Sequence, residues 1–331
     1  MIAVGTTYLN IADGLKQQED NGKKTAGIIE LLARNNDMLL DATVVECNDG
    51  TSHKSTIRTG LPSATWTQLY GYTQPSKATT AQVRDNTGML KSISVVDPDL
   101  VKLQPNPNQF RLNEAMAHLE AMNQEMQDTV IYGSVAADPA KWDGLALRYN
   151  GIATSTTNIN SNVIDAGGSG DDNTSIWFIT WGELHTSLIY PKGMAGGLEH
   201  IDDGLQFETD ATGGKRAVLQ DRYNWNLGLT VRDWRSTCRV ANLDLSLMQA
   251  GSVEIEDFML DAYYQIEQYA KTGKTIIYAN KQTSLALHKR AKDKTNVHLD
   301  IADFAGKQIT TFMGLPIRRC DAILNSESHI T

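Results

Sequence analysis

Residues 50–97 constrain the fold most, because they predict a long two-stranded ribbon with little apolar area of its own to bury. Residues 51–60 alternate weakly between polar and apolar side chains, and residues 61–80 are rich in Pro, Gly and aromatic residues. Residues 81–97 predict a strand, a turn and a second strand. A two-stranded ribbon alone is only marginally stable in water. This ribbon (residues 50–97) therefore requires a partner surface, from its own chain or from another molecule.

Residues 105–134 predict one long amphipathic helix. Apolar side chains recur every three or four positions, at Leu112, Met116, Leu119, Met122, Met126 and Val130. Two prolines precede this stripe, where proline is tolerated, and Gly133 follows it, where glycine commonly ends a helix. A Met-rich stripe also occurs in adaptable binding grooves, but its commoner place is the core. We therefore expect the stripe to be buried.

The remaining segments predict helices and mostly antiparallel strands that are separate along the chain. Helices are expected at residues 25–37, 252–273 and 281–293, and a turn-rich segment at residues 190–204. Strands are expected at residues 41–50, 175–181, both ends of 223–244, 274–280 and 307–324, the last with a bend at 314–316. This mixture predicts an α+β fold.

Composition excludes several classes of protein. The formal net charge of −9 over 331 residues excludes a DNA-condensing protein, because such affinity depends on neutralising phosphates. An acidic chain instead suits a protein that lies near packed DNA without binding it. Cys47, Cys238 and Cys320 form no CxxC pair, so we expect buried, reduced thiols. No apolar run approaches the ~18 residues of a membrane span, and the N-terminus has no signal-peptide pattern.

The sequence offers no catalytic, cofactor-binding or metal site, so we expect a protein that is not an enzyme. The Gly-rich residues 167–172 lack the Lys-Ser/Thr of a phosphate loop and carry two aspartates, which repel phosphate. The histidines lack the spacing of a dedicated metal site, and neither GxSxG nor SxxK is present. Guanidinium groups favour two-pronged contacts with carboxylates. Arg235, Arg239, Arg318 and Arg319 are therefore expected to pair with carboxylates at a surface or interface.

The central part of the sequence resembles the major capsid proteins of tailed bacteriophages. The matching runs are SIWFITWGELHTSLIYPKGMAGGLEHIDDG (175–204) and YNWNLGLTVRDWRSTCRVANLD (223–244). In that family a buried strand ends in a Trp-Gly turn, a Tyr-Pro-Lys-Gly turn follows, and a strand with VRDWR leads into RVANLD. The flanks agree at WDGL (142–145), KTIIYAN (274–280) and FMGLPIRRCDAIL (312–324). The resemblance thus covers most of residues 85–325 in order.

The resemblance implies a Hong Kong 97-type capsid fold. That fold has an N-terminal arm, an extended β-loop, a peripheral domain with a long spine helix, and an axial domain. Residues 1–45 would be the arm, 46–100 the extended β-loop and peripheral-domain strands, and 101–138 the spine helix. Residues 139–305 would be mainly the axial domain, and 306–331 terminal strands that return to the peripheral domain.

The resemblance also implies a function and partners. Copies of the chain would assemble into pentamers and hexamers of an icosahedral shell that encloses packaged viral DNA without sequence-specific binding. Further implied partners are a portal and a decoration or cement protein, with no membrane. Many members of the family carry a long helical N-terminal segment that serves as scaffold and is then removed. Here only about 40 residues precede the first clear strand, so a separate scaffolding protein is expected. The expected location is the virion capsid, assembled in the host cytoplasm. Two alternatives are another virion component, such as a decoration or connector protein, and an enzyme with scattered catalytic residues.

The ribbon supplies the candidate assembly interface. Aromatic residues at the middle of such a segment suggest interface anchors. The candidate residues are Arg58, Trp66, Leu69, Tyr70, Tyr72, Lys77 and Arg84. The alternative is an ordinary surface loop folded back on its own domain.

Overall fold

A computed structural model describes residue 9 and residues 18–19, 24–25, 37–155, 158–209, 213–270, 272–291, 299–304 and 307–331. Its helices are α1 (Met38–Asp41), α2 (Pro98–Lys102), α3 (Pro107–Tyr132), α4 (Leu145–Arg148), α5 (Leu245–Gln249), α6 (Ile255–Ile266) and α7 (Lys281–Ala291). Its strands are β1 (Gln18–Glu19), β2 (Lys24–Thr25), β3 (Val44–Glu46), β4 (Ser52–Gly60), β5 (Thr79–Val96), β6 (Val163–Asp165), β7 (Asn173–Trp181), β8 (Thr186–Tyr190), β9 (Leu198–Thr209), β10 (Lys215–Val231), β11 (Thr237–Asp244), β12 (Lys274–Ala279), β13 (Leu299–Phe304), β14 (Lys307–Phe312) and β15 (Leu315–Arg319). Short 3-10 helices cover Ile159–Asn162 and Trp234–Ser236.

Most of the strands belong to one mixed sheet. Its main path runs β13-β14-β15-β12-β7-β8-β10-β5-β4, and β3, β6, β9 and β11 pair with strands of that path or with each other. Strand β10 connects the ribbon to the body, because its first part pairs with β9 and β5 and its last residues pair with β8. The ribbon strands β4 and β5 therefore continue the core sheet outward. The mixture of helices and strands confirms the predicted α+β class.

Strand β7 lies at the centre of the core and is buried at all nine positions. Trp177, Ile179 and Trp181 face the cluster that contains the C-terminal half of α3. Ile176 and Phe178 face the opposite cluster, with α6 and α7. Successive side chains of a strand point to opposite faces. This strand therefore joins two apolar layers, and the buried strand predicted at residues 175–181 is confirmed.

The bend predicted at residues 314–316 is a two-residue hairpin turn between β14 and β15. Met313 and Gly314 have φ angles of 49° and 79°, and Phe312 pairs with Leu315 across the turn. Two central residues with positive φ match the right-handed twist of the flanking strands. The predicted bend and the antiparallel strands around it are confirmed.

The turn predicted inside residues 81–97 is wrong, because β5 runs unbroken from Thr79 to Val96. Gly88 suggested that turn, but its role is close packing. A Cβ atom at Gly88 would lie 2.8 Å from the carbonyl oxygen of Ala140 and 3.0 Å from the ring of Trp142. Glycine in a strand often marks such an approach of another segment.

Helix α3 agrees with the helix predicted from residues 105–134. The side chain of Asn106 caps its start by accepting a hydrogen bond from the backbone N–H of Gln109 at 3.3 Å. At the other end, the backbone N–H of Gly133 donates to the carbonyl of Thr129 at 2.9 Å. A side-chain oxygen that accepts a backbone N–H satisfies one of the donors left free in the first turn.

The apolar stripe of α3 is buried only in its C-terminal half, so the prediction of a fully buried stripe is wrong. The buried members are Met122, Met126 and Val130. Leu112 and Met116 are 53% and 56% exposed, and Leu119 is half-buried. In its N-terminal half, the helix faces β5 and β10 with a different side, and this side carries Arg111 and His118. Periodicity identified the helix but not the length of sheet that covers it.

The predictions outside these elements have mixed outcomes. The helix predicted at residues 25–37 lies outside the described residues except at its two ends, and Thr25 belongs to β2. The helices predicted at residues 252–273 and 281–293 are confirmed as α6 and α7. Residues 190–204, predicted as turns, enter the long strand β9 at Leu198.

Candidate assembly interface

The middle of the ribbon, residues 61–78, holds its large apolar side chains in solvent. Trp66 is fully exposed, and Leu69, Tyr70 and Tyr72 are each at least 87% exposed. Large exposed apolar side chains that are near one another along a chain are a candidate interaction site. The side chains of these apolar candidates are therefore not packed against the body of their own chain.

Local contacts hold the backbone of this segment. Gly71 N–H donates to the carbonyl of Gln68 at 2.9 Å, and the Ser76 hydroxyl donates to the carbonyl of Ser63 at 2.9 Å. Tyr70 between them has a φ of 69°, a left-handed conformation that costs a bulky residue about 1–3 kcal/mol. Tyr70 is 95% exposed, so packing within the subunit does not hold this conformation.

The basic candidates lie along the strands of the ribbon. Arg58, Lys77 and Arg84 are all exposed. Arg84 Nε donates to the hydroxyl of Ser52 at 2.8 Å. Residues 51–84 contain four basic and no acidic side chains, in a chain whose net charge is −9. Two of the four, Lys54 and Arg84, pair with Asp49 at 2.7 and 3.5 Å. The net charge of residues 51–84 is positive in an acidic protein.

The root of the ribbon, where β4 and β5 meet the body, is a buried polar cluster. Asp85 on β5 is 5% exposed and accepts hydrogen bonds from Arg148 at 2.9 Å and from Thr230 at 2.6 Å. His53 pairs with Asp85 across the two strands and accepts a hydrogen bond from Arg232. Burial, and then the charge of Arg232, lower the pKa of His53. No local pattern in the sequence indicates this cluster, because its members lie far apart along the chain.

Strands β9 and β10 form a second projecting hairpin that the sequence prediction missed. Leu205 and Phe207 on β9 are 53% and 69% exposed. The β9–β10 register shifts beside Gly204, whose φ is 67°. An extra residue of this kind increases local twist and re-aims a strand. The only signal in the sequence is the short alternation through Leu205 and Phe207.

An arginine on α3 fixes this hairpin to the helix. Arg111 donates to Asp202 on β9 at 3.0 Å and to both carboxylate oxygens of Asp221 on β10, at 2.8 and 2.9 Å. A hydrogen bond from the backbone of Gly204, and then Arg111, lower the pKa of Asp202. Charge-assisted, two-pronged contacts of this type also fix geometry. Arg111 therefore positions both strands of the hairpin.

A stack of rings supports the same junction. The ring of Tyr223 on β10 lies 6.0 Å from that of His118 on α3 and 5.0 Å from that of His200 on β9, with interplanar angles of 17° and 14°. His118 Nδ1 also contacts the hydroxyl of Ser92 on β5 at 2.7 Å. The N-terminal half of α3 thus contacts β5, β9 and β10 through polar and aromatic groups.

The four arginines expected to pair with carboxylates all do so. The pairs are Arg235–Asp233 at 2.9 Å, Arg239–Glu327 at 2.9 Å, Arg318–Asp41 at 3.0 Å and Arg319–Asp321 at 2.6 Å. The predicted pairing is confirmed, but the predicted location at a surface or interface is wrong for Arg239, which is buried. Each of these guanidinium groups is therefore engaged by a carboxylate of its own chain.

The pair Arg239–Glu327 lies in the core, with side chains 4% and 5% exposed. Arg239 also donates to the Ser175 hydroxyl at 2.9 Å and to the Tyr149 carbonyl at 2.8 Å. Glu327 also accepts hydrogen bonds from Tyr132 and Ser175. Burial, and then the charge of Glu327, raise the pKa of Tyr132, so its hydroxyl remains a donor. The C-terminal tail therefore completes the core.

Within the described ranges, no His, Cys, Asp and Glu side chains form a group of three or more that is placed to hold a metal ion. Cys47, Cys238 and Cys320 are free and buried, as predicted. Burial raises the pKa of Cys47 to about 11 and that of Cys320 to about 12, so little reactive thiolate forms at neutral pH. None of the described helices is long and apolar enough to span a membrane.

Comparisons with known proteins agree with this architecture. The family model of the major capsid protein GP7 matches residues 19–331. A chain in the near-atomic structure of bacteriophage Epsilon15 is 37% identical, with a TM-score of 0.79 over 100% of this chain and 99% of that chain. The protein is therefore a phage capsid protein with a Hong Kong 97-type fold, as the resemblance implied. It belongs to the family of the major capsid protein GP7.

Other solved structures are more distant. The capsid of the native GTA particle is 10% identical and covers 69% of this chain and 96% of that chain, with a TM-score of 0.45. A chain of Mycobacterium phage Adephagia is 11% identical and covers 64% of this chain and 91% of that chain, with a TM-score of 0.39. No curated protein matches the chain.

Proposed function

We propose that this capsid subunit closes pentamers and hexamers of an icosahedral shell around packaged double-stranded DNA, and that the ribbon contacts the neighbouring copy. The observation that carries the proposal is the exposure of residues 61–78, which form the tip of the ribbon. There Trp66, Tyr70 and Tyr72 are each at least 95% exposed. Burying about 200 Å² of one aromatic side chain contributes about 5 kcal/mol before the costs of association. Such a gain is available only when another molecule covers the tip.

The charge of the ribbon supports a second copy as the molecule that covers it. Residues 51–84 are basic without any acidic side chain, while the whole chain is acidic. Opposite charges on two surfaces steer their encounter and fix their orientation, and salt screens this effect. Assembly of the subunit is therefore expected to slow as the salt concentration rises.

The shape of the ribbon supports a head-to-tail contact. A projecting segment of one copy meets a different surface of the next copy, and such heterologous contacts generate closed rings when the rotation closes. Pentamers and hexamers then differ in the angle at the contact and use the same two surfaces.

Replacing Trp66 and Tyr70 together with serine tests the proposal. Both side chains are at least 95% exposed, so the unassembled subunit should unfold at the same urea concentration as the wild type. Shells should disappear in electron micrographs and in sedimentation profiles. The matched control replaces Gln68 and Gln74, exposed polar residues of the same segment, with serine and should form shells. Normal shells from the Trp66→Ser/Tyr70→Ser variant would contradict the proposal, as would an unfolded subunit.

Family membership supports a corresponding division of the chain. Residues 1–45 form the N-terminal arm, 46–100 the extended β-loop and peripheral strands, and 101–138 the spine-helix segment. Residues 139–305 form mainly the axial domain, and 306–331 return to the peripheral domain. Cryo-electron microscopy of a shell that contains this chain would test each boundary.

The same proposal includes the partners of the shell. They are a separate scaffolding protein, a decoration or cement protein, and a portal, in particles assembled in the host cytoplasm. The acidic net charge of −9 supports enclosure of DNA without sequence-specific binding, and the subunit acts as a structural protein, not as an enzyme. Co-purification with the products of neighbouring genes, and DNA mobility shifts with the isolated subunit, test these statements.

A further inference from the structure

The root of the ribbon contains a histidine whose contact fixes its charge state. His53 stands at the start of β4 and is 3% exposed. Arg232, directly after β10, donates a hydrogen bond from Nη2 to His53 Nε2. A guanidinium group has only donors. His53 Nε2 must therefore accept, and the buried ring must be neutral while this contact exists.

Charged groups from several elements face this ring. Arg232 carries a positive charge into direct contact with it. Asp85 on β5, Glu183 in the turn after β7 and the backbone carbonyl of Glu46 on β3 favour a proton on the ring. Burial and Arg232 outweigh them, so the pKa of His53 is lowered. Protonation would place two positive charges in contact.

The nearby carboxylate has other cations and donors to satisfy it. Asp85 accepts from Arg148 at 2.9 Å and from Thr230 at 2.6 Å. The side chains of Arg148 and Asp85 are 17% and 4% exposed, so this ion pair is largely shielded from water. Asp85 therefore remains engaged with the body and does not compensate fully for a charge on His53.

The contact between His53 and Arg232 lies where it can attach β4 to the body of the subunit. Strand β4 stands at the end of the sheet path and pairs only with β5 among the described strands. The contact between His53 and Arg232 joins β4 directly to the segment after β10. Losing it leaves β4 attached through its ladder with β5 and through the contacts of Asn48 and Asp49 with Lys54.

We propose that the His53–Arg232 contact is a pH-sensitive clamp, which holds the ribbon to the body when His53 is neutral and releases β4 when His53 is protonated. This goes beyond the contact between copies proposed above. It is a property of the single subunit, so its failure and the failure of the assembly proposal are measured separately.

The direction of the pH effect follows from proton linkage. Above the ordinary histidine pKa of about 6.5, the ring is neutral in both the closed and the open root, and the clamp is fully formed. Below that pH, the open root binds a proton that the closed root resists. The closing equilibrium then loses up to about tenfold for each pH unit until the lowered pKa of His53 is reached. Acid therefore opens the clamp, and neutral pH closes it.

Hydrogen exchange of the unassembled subunit tests the clamp. Exchange is measured by mass spectrometry from about pH 7.5 to about pH 5, with times corrected for the intrinsic pH dependence of exchange. In the wild type, amides of β4 should lose protection as the pH falls below about 6.5, while those of β7 should not. Unchanged protection of β4 across this range would overturn the proposal.

Two variants and one control separate the clamp from a general effect of acid. His53→Gln can still accept from Arg232 but cannot gain a charge, so β4 should stay protected at acid pH. Arg232→Gln removes the opposing charge, so the pH-dependent loss should shrink even if overall protection falls. His200→Gln, a half-exposed histidine on the other hairpin, should behave like the wild type. The same acid-dependent loss in His53→Gln as in the wild type would overturn the proposal.

Discussion

Replacing Glu327 with alanine would leave the buried guanidinium of Arg239 without its carboxylate. The two side chains are 4% and 5% exposed, so the ion pair is largely shielded from water. Arg239 keeps its hydrogen bonds to Ser175 and to the carbonyl of Tyr149, at 2.9 and 2.8 Å. Removing one partner of a buried ion pair costs about 3–5 kcal/mol, and the two retained bonds place this case near 3–4 kcal/mol.

Three companion variants identify the source of that loss. Glu327→Gln keeps the shape and one acceptor oxygen, so its loss should be smaller, about 1.5–3 kcal/mol. Arg239→Met combined with Glu327→Leu removes both charges and should destabilise less than Glu327→Ala does. Glu267→Ala, at an exposed position, should change stability by no more than about 0.5 kcal/mol.

Urea unfolding of the unassembled subunit, followed by circular dichroism, measures these free energies. A lower midpoint with an unchanged slope would indicate a change in stability and not in the compactness of either state. A Glu327→Ala variant as stable as the Glu267→Ala control would refute the reasoning, because the tail would then contribute nothing to the core.

Two further predictions concern packing. Met126→Asp, at a position 1% exposed, should unfold the subunit, whereas Met116→Asp, at a position 56% exposed, should leave it folded. Soluble yield and circular dichroism measure the difference. A folded Met126→Asp variant would show that this part of the stripe is not core. Gly88→Ala would place a Cβ atom 3.0 Å from the ring of Trp142 and should destabilise by about 1–3 kcal/mol. Gly197→Ala, with nothing within 4 Å of its Cβ, should be neutral, and equal thermal midpoints for the two alanine variants would contradict the packing argument.

Local patterns in the sequence predict the elements that their own residues define. The 3.6-residue period, the two preceding prolines and Gly133 identify α3, and the run of β-branched and aromatic residues identifies β7. The same period cannot show where the covering sheet ends, so Met116 appeared to be core although it is exposed. Glycine is typical of turns, and Gly88 therefore suggested one. Its packing partner, Trp142, lies far along the chain, so no local pattern indicates their contact.

Of the candidate interface, too, the sequence predicts only the part that neighbouring residues define. The aromatic residues of the tip are neighbours in the sequence, and the structure leaves each of them exposed to solvent. The root of the ribbon was not predictable, because His53 and Arg232 are 179 positions apart. The second hairpin was missed because Gly204 and the acidic residues around it suggest turns, and only the pairing with β10 makes that segment a strand.

The place of Glu327 in the core also affects how the protein is made. Ser175 on the central strand and Arg239 on its neighbour leave the ribosome well before Glu327, yet their buried polar groups need that carboxylate. At a synthesis rate of about 5–20 residues per second, Arg239 waits roughly 5–20 s for its partner. A nascent chain interrupted before Glu327 would retain an uncompensated charge in its interior. Translation therefore has to pass residue 327 before the subunit can reach its stable form, which disfavours entry of prematurely terminated chains into particles.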